Sequence, residues 1–404
     1  MPEASATAEG EAPSTQHDEG HEDHHDIIYP DTLPFVGMHL AAFAAIWTGV
    51  TLQAVLLCVA LYFIRMFFLT AGYHRYFSHR SYKTSRVGQF VLAFMAQTST
   101  QKSVLWWASQ HRHHHKHSDT EHDVHSPHHG GFFYSHVGWI FDNRNKATDH
   151  SRVPDLAKFP ELRFLDRFEQ LPSALLALGC FLWMGWVGLV VGFVWSTVIL
   201  YHGTFFINSV AHVVGKQRYI TGDESRNNWW LSIITLGEGW HNNHHAYQSA
   251  TRQGFRWYEI DPTYYVLKAL SWVGIVWDLR EPPEEVVRNE RPLGRRALEQ
   301  AAQRLADRYD TSQLATRVRE ALTRSGRWEE LQARCREGRE SVAARIAELE
   351  LPELPTFDDL WRDARRIYTE SPSLEELVER ARLIVRERVA EQLTDQVQQS
   401  AVAA

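Results

Sequence analysis

The chain has 404 residues, of which 23% are charged, and its net charge is −7 with neutral histidines. This negative balance excludes the basic surface expected of a nucleic-acid-binding protein. The sequence contains 23 histidines but only 3 cysteines. A metal site would therefore use nitrogen and oxygen ligands, and no disulfide framework is expected.

Residues 1–30 are rich in acidic residues, histidine, alanine, serine and threonine, with few apolar anchors. This composition predicts a disordered acidic tail. The tail has no basic start followed by an apolar core, so we do not expect a signal peptide. Four histidines lie in the tail and are expected to be solvated, without a role in catalysis: His17, His21, His24 and His25.

Two long apolar blocks follow, and each is about twice as long as a membrane-spanning helix of roughly 20 residues. The first runs from Leu33 to Thr70 with a turn near Thr48 and Gly49, and the second covers residues 171–214 with a turn near residues 185–188. The blocks predict four transmembrane helices in two hairpins, with Arg65 extending to the membrane interface. Basic residues after the first hairpin predict a cytoplasmic location for both termini and for the segments between and after the hairpins. These residues are Arg75, Arg80, Lys83 and Arg86.

The remaining segments complete an all-α integral membrane protein with three parts. Residues 31–280 form the predicted membrane domain, with a cytoplasmic helical cap and a short interfacial or re-entrant helix at residues 87–95. Residues 281–404 are charged, and their apolar residues recur at helical spacing, which predicts a soluble helical extension. The repeating positions are Leu374, Leu377, Val378, Ala381, Val385 and Val389. Because every candidate ligand precedes Gln248, we expect this extension to be dispensable for the chemistry.

Three histidine clusters lie beside the predicted hairpin ends. Two of them have the spacing i, i+3, i+4, which places three imidazoles on one helical face. These clusters are His111, His114 and His115, and His241, His244 and His245. The cluster nearest the first hairpin contains His74 and His79, which would diverge by about 140° on an α-helix. We therefore predict that His74 and His79 serve two neighbouring ions in a dinuclear centre.

A polar stripe marks the end of the last predicted transmembrane helix, where Thr204, Asn208 and His212 repeat every four residues. Polar residues at membrane depth are costly and usually functional. His212 is a candidate ligand, and Asn208 could act directly or through a water. Ligating imidazoles commonly donate their other N–H to a neighbour. Candidates for that outer layer are Asp119, Asp123, His125, His136 and Glu238, whereas five further histidines are expected at the surface or in the outer layer: His113, His117, His122, His128 and His129.

The number of histidines indicates which metals suit the site. Zinc sites are usually complete with four ligands, so eight or nine histidines are too many for one zinc ion. Calcium and magnesium prefer oxygen ligands. Copper and iron remain, and dinuclear sites with many histidines that activate O₂ suit iron. The membrane setting favours a lipid-like substrate.

The clusters and three flanking runs resemble the membrane-bound Δ9 acyl desaturases, the stearoyl-CoA desaturase family, over roughly residues 35–280. The runs are Ser135-His-Val-Gly-Trp139, Asn208-Ser-Val-Ala-His212 and Gly237-Glu-Gly-Trp-His-Asn-Asn-His-His245. Asp119-Thr-Glu and the Asn-Asn pair of the third cluster look like bacterial members. The resemblance implies two iron ions held by nine histidines: His74, His79, His111, His114, His115, His212, His241, His244 and His245. It also implies a water-mediated role for Asn208 and an acyl tunnel bent by Gln101, Trp107 and Thr204.

The reaction implied is O₂-dependent desaturation of a C16 or C18 acyl chain, giving a cis double bond at Δ9. Ser109 and Lys102 stand where the family has carrier contacts, so the carrier stays open among CoA, acyl carrier protein and a lipid. No flavin, haem or nicotinamide motif is present, so an external donor is implied, such as a ferredoxin or a cytochrome with its reductase. A bacterial inner membrane is the expected location. The alternatives are a membrane alkane or fatty-acid hydroxylase and, in another class, a metal-binding protein or transporter with ligands inside its spans.

Overall fold

The computed structural model describes residues 33–336 and 342–402, so the predicted tail lies outside the described residues. The described chain is mostly helical, as the sequence predicts. Its departure from an all-α fold is one antiparallel pair of short strands, β1 (Lys83–Thr84) and β2 (Val276–Trp277). This pair joins the segment that follows His79 to the segment that follows Trp272.

The first apolar block contains α1 (Leu33–Ala42), α2 (Ala45–Thr48) and α3 (Leu52–Phe68), and a π-helix covers Leu69–Ser78. Gly49 ends α2 with a φ of 75°, a conformation that favours glycine. The Thr51 side chain then caps α3 by accepting a hydrogen bond from the Ala54 N–H. The helical run Leu52–Ser78 is long and apolar enough to cross a membrane, and Leu33–Thr48 is a shorter apolar helical segment.

The segment between the apolar blocks contains five short helices, one of which carries the second histidine cluster. It contains α4 (Arg86–Gln97), α5 (Val104–His117), α6 (Phe132–His136), α7 (Pro154–Ala157) and α8 (Pro160–Arg167). Short 3₁₀ turns cover Gly138–Phe141, Asn143–Asn145 and His150–Arg152. The Ser103 side chain caps α5 by accepting a hydrogen bond from the Trp106 N–H, which fixes the start of the second histidine cluster's helix.

The second apolar block contains α9 (Leu171–Val187), a π-helix (Gly188–Trp195), α10 (Ser196–Ser209) and a 3₁₀ turn (Val210–His212). The run Leu171–His212 is the second helical run apolar enough to cross a membrane. Gly185, with φ 61° and ψ −150°, interrupts it. Cys180 and Phe193 pack in one cluster with Leu61. The chain therefore reverses at Gly185, where the sequence predicts a turn.

Arg65 does not extend to the interface as predicted, because its side chain is buried between the two apolar blocks. Its guanidinium donates to the Thr197 hydroxyl at 2.8 Å, to the Ser196 hydroxyl at 2.5 Å and to the carbonyl oxygens of Thr98 and Leu61. These hydroxyls belong to the other apolar block, and the sequence pattern gave no sign of the pairing. Four acceptors satisfy the buried cation, so Arg65 joins the two blocks.

The cap consists of α11 (Trp229–Ile234), α12 (His241–Ala246), α13 (Pro262–Trp272) and α14 (Glu284–Val287). It exposes large aromatic side chains, including Trp229, Trp257 and Trp272. Exposed apolar patches mark protein or membrane contacts, and tryptophan is enriched at membrane interfaces. The apolar helical runs and these tryptophans indicate that the protein associates with a membrane.

Helices α15 to α20 form a helical bundle, which we call the C-terminal domain. Its helices are α15 (Arg295–Ala306), α16 (Thr311–Arg324), α17 (Arg327–Arg336), α18 (Val342–Glu348), α19 (Phe357–Ile367) and α20 (Leu374–Val402). All six residues of the predicted apolar stripe on α20 are buried in its core. Ile220, from the segment between the second apolar block and α11, is buried in the same core. The domain is therefore packed against the rest of the chain.

Candidate metal centre

The nine candidate histidines lie together, and their ring nitrogens form two groups. The first group contains His74, His79, His111, His115 and His244. The second contains His114, His212, His241 and His245. Within each group the nitrogen atoms lie within 4.8 Å of one another. Each i, i+3, i+4 cluster contributes to both groups, which places the two groups side by side.

The nitrogens of the first group face one another closely. The Nε2 atom of His111 lies 2.8 Å from Nε2 of His79 and 3.0 Å from Nε2 of His115. The Nε2 atom of His244 lies 2.9 Å from Nε2 of His115 and 3.0 Å from Nε2 of His74. Five nitrogens from three distant segments thus converge on one point.

The prediction that His74 and His79 serve different ions is wrong for this geometry, because both belong to the first group. The prediction assumed an α-helix, in which residues five apart diverge. The segment Leu69–Ser78 is a π-helix, and the His79 N–H donates to the His74 carbonyl oxygen at 3.2 Å, an i to i+5 bond. The wider turn aligns residues five apart on one side, and π-helical turns are frequent at functional sites.

The second group is built around the end of α10 and the start of α12. The Nε2 atoms of His212 and His241 lie 3.0 Å apart. His114 reaches the group from α5, and His245 lies one helical turn after His241. The Nε2 atom of His245 is buried and has no hydrogen-bond partner among the described residues. A buried nitrogen without a partner is costly and fits the place of a metal ligand.

The donor atoms fit metal ions in both groups. Two ligands at right angles on an ion with bonds of about 2.1 Å lie about 3.0 Å apart, close to the separations of the Nε2 atoms here. Nitrogen lone pairs at this distance repel unless a proton or a cation lies between them. The groups offer five and four nitrogens, which suits two ions of a transition metal rather than one zinc ion.

Four of the nine imidazoles donate their Nδ1 hydrogen to a buried carboxylate. Nδ1 lies 2.5 Å from Glu238 in His74, 2.9 Å from Asp123 in His114, 2.8 Å from Asp119 in His212 and 2.6 Å from Asp223 in His245. This hydrogen bond fixes the tautomer, so the Nε2 lone pair points into the group.

The protonation of the site follows from burial and from these pairs. Burial, followed by the neighbouring imidazoles, lowers the pKa of five ligands well below the usual value: His79, His111, His115, His241 and His244. Burial alone would raise the pKa of Asp123, but the adjacent His114 outweighs it and holds that pKa below its usual range. These five imidazoles are therefore neutral, and the Asp123 carboxylate is ionised.

The outer-layer predictions have different outcomes. Asp119, Asp123 and Glu238 lie against ligand imidazoles, and the His125 Nδ1 atom lies 3.8 Å from Asp123. His136 does not reach the nine histidines. Its Nε2 contacts His202 at 3.0 Å and its Nδ1 contacts Ser209 at 3.0 Å, because α6 packs against α10 away from the ligands.

Sequence reasoning missed two carboxylates beside the site. Asp223 holds His245, yet it is 22 residues away in the chain and has no histidine beside it in the sequence. Asp261 contacts Arg75 at 2.9 Å, and Arg75 in turn contacts Glu238 at 3.0 Å behind His74. A search for acidic residues near the clusters in the sequence could not find either, since the fold brings them in.

An apolar cavity of about 330 Å³ leads to the first group, and His111 is part of its lining. Gln101, Trp107, Thr204 and Asn208 line it too. The Gln101 Nε2 atom donates to the Thr204 hydroxyl at 3.0 Å, and Trp107 stacks on His111 with ring centroids 4.8 Å apart. A smaller cavity of about 30 Å³ shares Trp107, Thr204 and Asn208 with it and is also lined by His114 and His241 of the second group.

The comparisons with known proteins agree with this geometry. The family model described as "Fatty acid desaturase" matches residues 38–273, more than half of the chain. The chain belongs to the fatty acid desaturase family. The matched region includes all nine histidines, and the prediction of a desaturase, an oxidoreductase of lipid metabolism, is confirmed. The family implies a non-haem iron site, an acyl substrate and an electron donor.

Three relatives illustrate the range of the family. The chain is 35% identical to an sn-1 stearoyl-lipid 9-desaturase of Anabaena variabilis, over 63% of this chain and 94% of that protein. It is 37% identical to an acyl-CoA 5-desaturase of Anemone leveillei, over 60% of this chain and 74% of the relative. It is 38% identical to a chloroplastic palmitoyl-monogalactosyldiacylglycerol delta-7 desaturase of Arabidopsis thaliana, over 54% of this chain and 59% of the relative. The family model ends at residue 273, before the C-terminal domain begins.

Proposed function

We propose that this desaturase inserts a cis double bond at Δ9 of a saturated C16 or C18 acyl chain, using O₂, two irons and external electrons. The observation that carries the proposal is the pair of histidine groups at the inner end of an apolar cavity. Relatives named stearoyl-lipid 9-desaturases, in Anabaena variabilis and a Synechocystis strain, support the position of the double bond.

In this proposal each histidine group holds one iron. His74, His79, His111, His115 and His244 are the ligands of one, and His114, His212, His241 and His245 are those of the other. Asn208 faces both cavities and would contribute directly or through a water. Bound iron would supply the oxidising power that breaking an unactivated C–H bond requires.

The protein's own residues would position the acyl chain. An acyl chain offers nearly identical methylenes, so the position of the double bond must come from the depth at which the chain stops. Gln101 and Thr204 are hydrogen-bonded across the cavity, and Trp107 lies over His111, so together they narrow the cavity beside the ligands. We assign these three residues to bending the chain there. Holding carbons in a reactive geometry contributes up to about 7–11 kcal/mol.

We propose that the acyl chain is carried by a membrane lipid. The charged residues that line the larger cavity are Lys102 and Glu169, whose Nζ and Oε1 atoms lie 3.7 Å apart, so the lining has no net charge. Coenzyme A and acyl carrier protein are both anionic, and their recognition needs unpaired cations. Ser109 is fully buried and offers no charge. Pro34, Phe35 and Met38 of the first apolar block line the same cavity, which gives a lipid a route of entry.

The membrane arrangement in this proposal is four crossings, with both termini and the metal centre on the cytoplasmic face of a bacterial inner membrane. The turns at Gly49 and Gly185 support it, because each divides an apolar block into two arms. Electrons would come from a ferredoxin or a cytochrome with its reductase, since the sequence carries no redox motif of its own.

Product analysis tests this function. We expect cells that make the protein to accumulate cis-Δ9 C16 and C18 lipids, with the bond located by mass spectrometry after gas chromatography. His114→Ala and His244→Ala should abolish the product and lower the iron content from about two per chain. His113→Ala is the matched control, because its ring lies on the outer side of α5 and contacts the His122 carbonyl oxygen.

Four outcomes would contradict the proposal. Hydroxylated products would favour the membrane hydroxylase, and metal without any change in lipids would favour a metal-binding protein. In purified enzyme with its electron donor, turnover of acyl-CoA but not of phospholipid vesicles would overturn the lipid carrier. A double bond near the methyl end would overturn the assignment of the bend.

A further inference from the structure

One loop lies between the second histidine group and the C-terminal domain, and its inner side reaches the ligands. This loop, residues 216–228, provides Asp223, which accepts the Nδ1 hydrogen of His245. The Glu224 N–H donates to Asp119 Oδ2 at 2.7 Å, and the same oxygen accepts the Nδ1 hydrogen of His212 at 2.8 Å. The loop thus controls the outer contacts of two ligands of the second group.

The loop also supports the helix that carries the third cluster. The backbone N–H groups of Arg218 and Tyr219 donate to the Asn242 side-chain oxygen at 2.7 and 2.8 Å. The Asn227 side chain donates to the Asn243 side-chain oxygen at 2.7 Å. Both asparagines lie between His241 and His244. Displacement of the loop would therefore move α12. It would also disturb the contact of Asp223 with His245 and the contact of the Glu224 N–H with Asp119.

The outer side of the loop is packed against the C-terminal domain. Gly222 has a φ of 84°, and a Cβ atom there would lie 3.0 Å from the Ala297 Cα atom and 2.8 Å from the Gln300 Oε1 atom of α15. The Arg304 Nη1 atom of α15 lies 3.3 Å from Glu224 Oε1. The Thr369 hydroxyl donates to the Arg218 carbonyl oxygen at 2.7 Å.

We propose that the C-terminal domain is a positioning domain for the second histidine group. Helix α15 holds the 216–228 loop, and the loop orients His245 through Asp223 and His212 through Asp119. This inference rests on the proposed function, because it assumes that both groups bind iron. It replaces the expectation that the extension is dispensable for the chemistry.

The two histidine groups depend on the domain unequally. Glu238, the carboxylate behind His74 in the first group, contacts Arg75, which contacts Asp261 and the Thr251 carbonyl oxygen. All of these residues belong to the part of the chain that matches the family model. Loosening α15 should therefore weaken iron binding mainly in the second group, because α12 carries two ligands of that group but only His244 of the first. General destabilisation would weaken both groups.

The experiment compares full-length variants at the contact with α15. Arg304→Ala removes the pair with Glu224, and Gly222→Val forces α15 away from the loop. We expect one of the two irons to bind about tenfold more weakly in Arg304→Ala, and at least as weakly in Gly222→Val, as measured by anaerobic Fe²⁺ titration against a chelator. Arg304→Lys should restore most of the affinity. Glu224 keeps a second partner, Arg226 at 2.8 Å, so Arg304→Ala leaves no unpaired carboxylate and should fold.

Arg317→Ala is the matched control, because Arg317 pairs with Glu353 at 3.0 Å on the surface of the same domain. It should bind both irons as the unaltered protein does. Equal weakening of both irons in Arg304→Ala and Gly222→Val, or no weakening in either, would overturn the positioning role. An unaltered protein that binds fewer than two irons would contradict the proposed function itself, and this result is visible before any variant is made.

Discussion

Each carboxylate behind a ligand fixes one imidazole in the orientation that a metal needs. His114 donates its Nδ1 hydrogen to Asp123, which leaves the Nε2 lone pair free to bind a metal. The negative charge of Asp123 makes that lone pair a stronger electron donor to the metal. Asp123 also accepts the Asp119 N–H at 2.8 Å, so it organises the loop after α5. Asp123 therefore both holds the backbone of that loop in place and increases the electron density on the His114 ring.

Asp123→Asn should lower the affinity for the second group's iron by about 10–100-fold. The amide keeps one acceptor oxygen but loses the charge that polarises the His114 ring. Iron titration of the purified variant measures the effect. Asp149→Asn is the control, because Asp149 is an exposed cap of its own turn. Equal iron affinity in both variants would contradict a role for Asp123.

Iron in the first histidine group should stay bound as the pH falls from 8 to 6. Burial and neighbouring rings lower the pKa of four ligands of this group, so these ligands remain neutral below the usual histidine pKa of about 6.5: His79, His111, His115 and His244. A lowered pKa means that protonation, which would expel iron, begins only at a more acidic pH. Iron content after dialysis at each pH measures this, with circular dichroism as a check on folding. Release of more than half the iron between pH 7 and 6 would contradict it.

At the scale of elements, local periodicity predicted which histidines share a helix. It failed where the helix was not an α-helix. The i, i+3, i+4 spacing correctly placed His241, His244 and His245 on one helix. Five-residue spacing was misread for His74 and His79, because no residue pattern distinguished a π-helix from an α-helix there. The π-helix packs against α4 and α5, and such contacts between segments are not displayed by the sequence.

Helix α10 and the 3₁₀ turn after it combine a cavity wall with a ligand, since Thr204 lines the cavity and His212 ends the turn. Thr204→Trp should abolish desaturation because an indole would fill the bend, while the iron content stays at that of the unaltered protein. Gas chromatography and iron analysis of the same preparation measure both. Ile199→Trp on the exposed side of α10 is the control and should retain activity. Loss of iron in Thr204→Trp would show that the residue supports the ligands rather than the acyl chain.

For the whole molecule, composition and periodicity predicted helices in the two apolar blocks and in the C-terminal segment, and the described residues show them. They did not predict contacts between distant segments, such as Ile220 in the core of the C-terminal domain or Arg65 beside Ser196 and Thr197. These contacts depend on surface fit and leave no periodic signal. The functional pairing of Asp223 with His245 was missed for the same reason.

The positions of the hairpin turns lead to a test of the whole arrangement. Two exposed tryptophans lie beside the turns, Trp47 next to Gly49 and Trp186 next to Gly185. Lys116 is exposed on α5, the helix of the second histidine cluster. If both hairpins cross the membrane, the tryptophans and Lys116 lie on opposite sides, since each hairpin returns the chain to its starting face.

In intact cells, a membrane-impermeant maleimide should therefore label Trp47→Cys and Trp186→Cys. Lys116→Cys should react only after the membrane is permeabilised. Cys58 and Cys180 are buried, and a Cys335→Ser background removes the third native thiol. Mass spectrometry of the purified protein counts the labels, and the background protein gives the unspecific signal. Labelling of Lys116→Cys in intact cells would place the metal centre outside, and equal labelling of all three variants after permeabilisation alone would show that the hairpins do not cross.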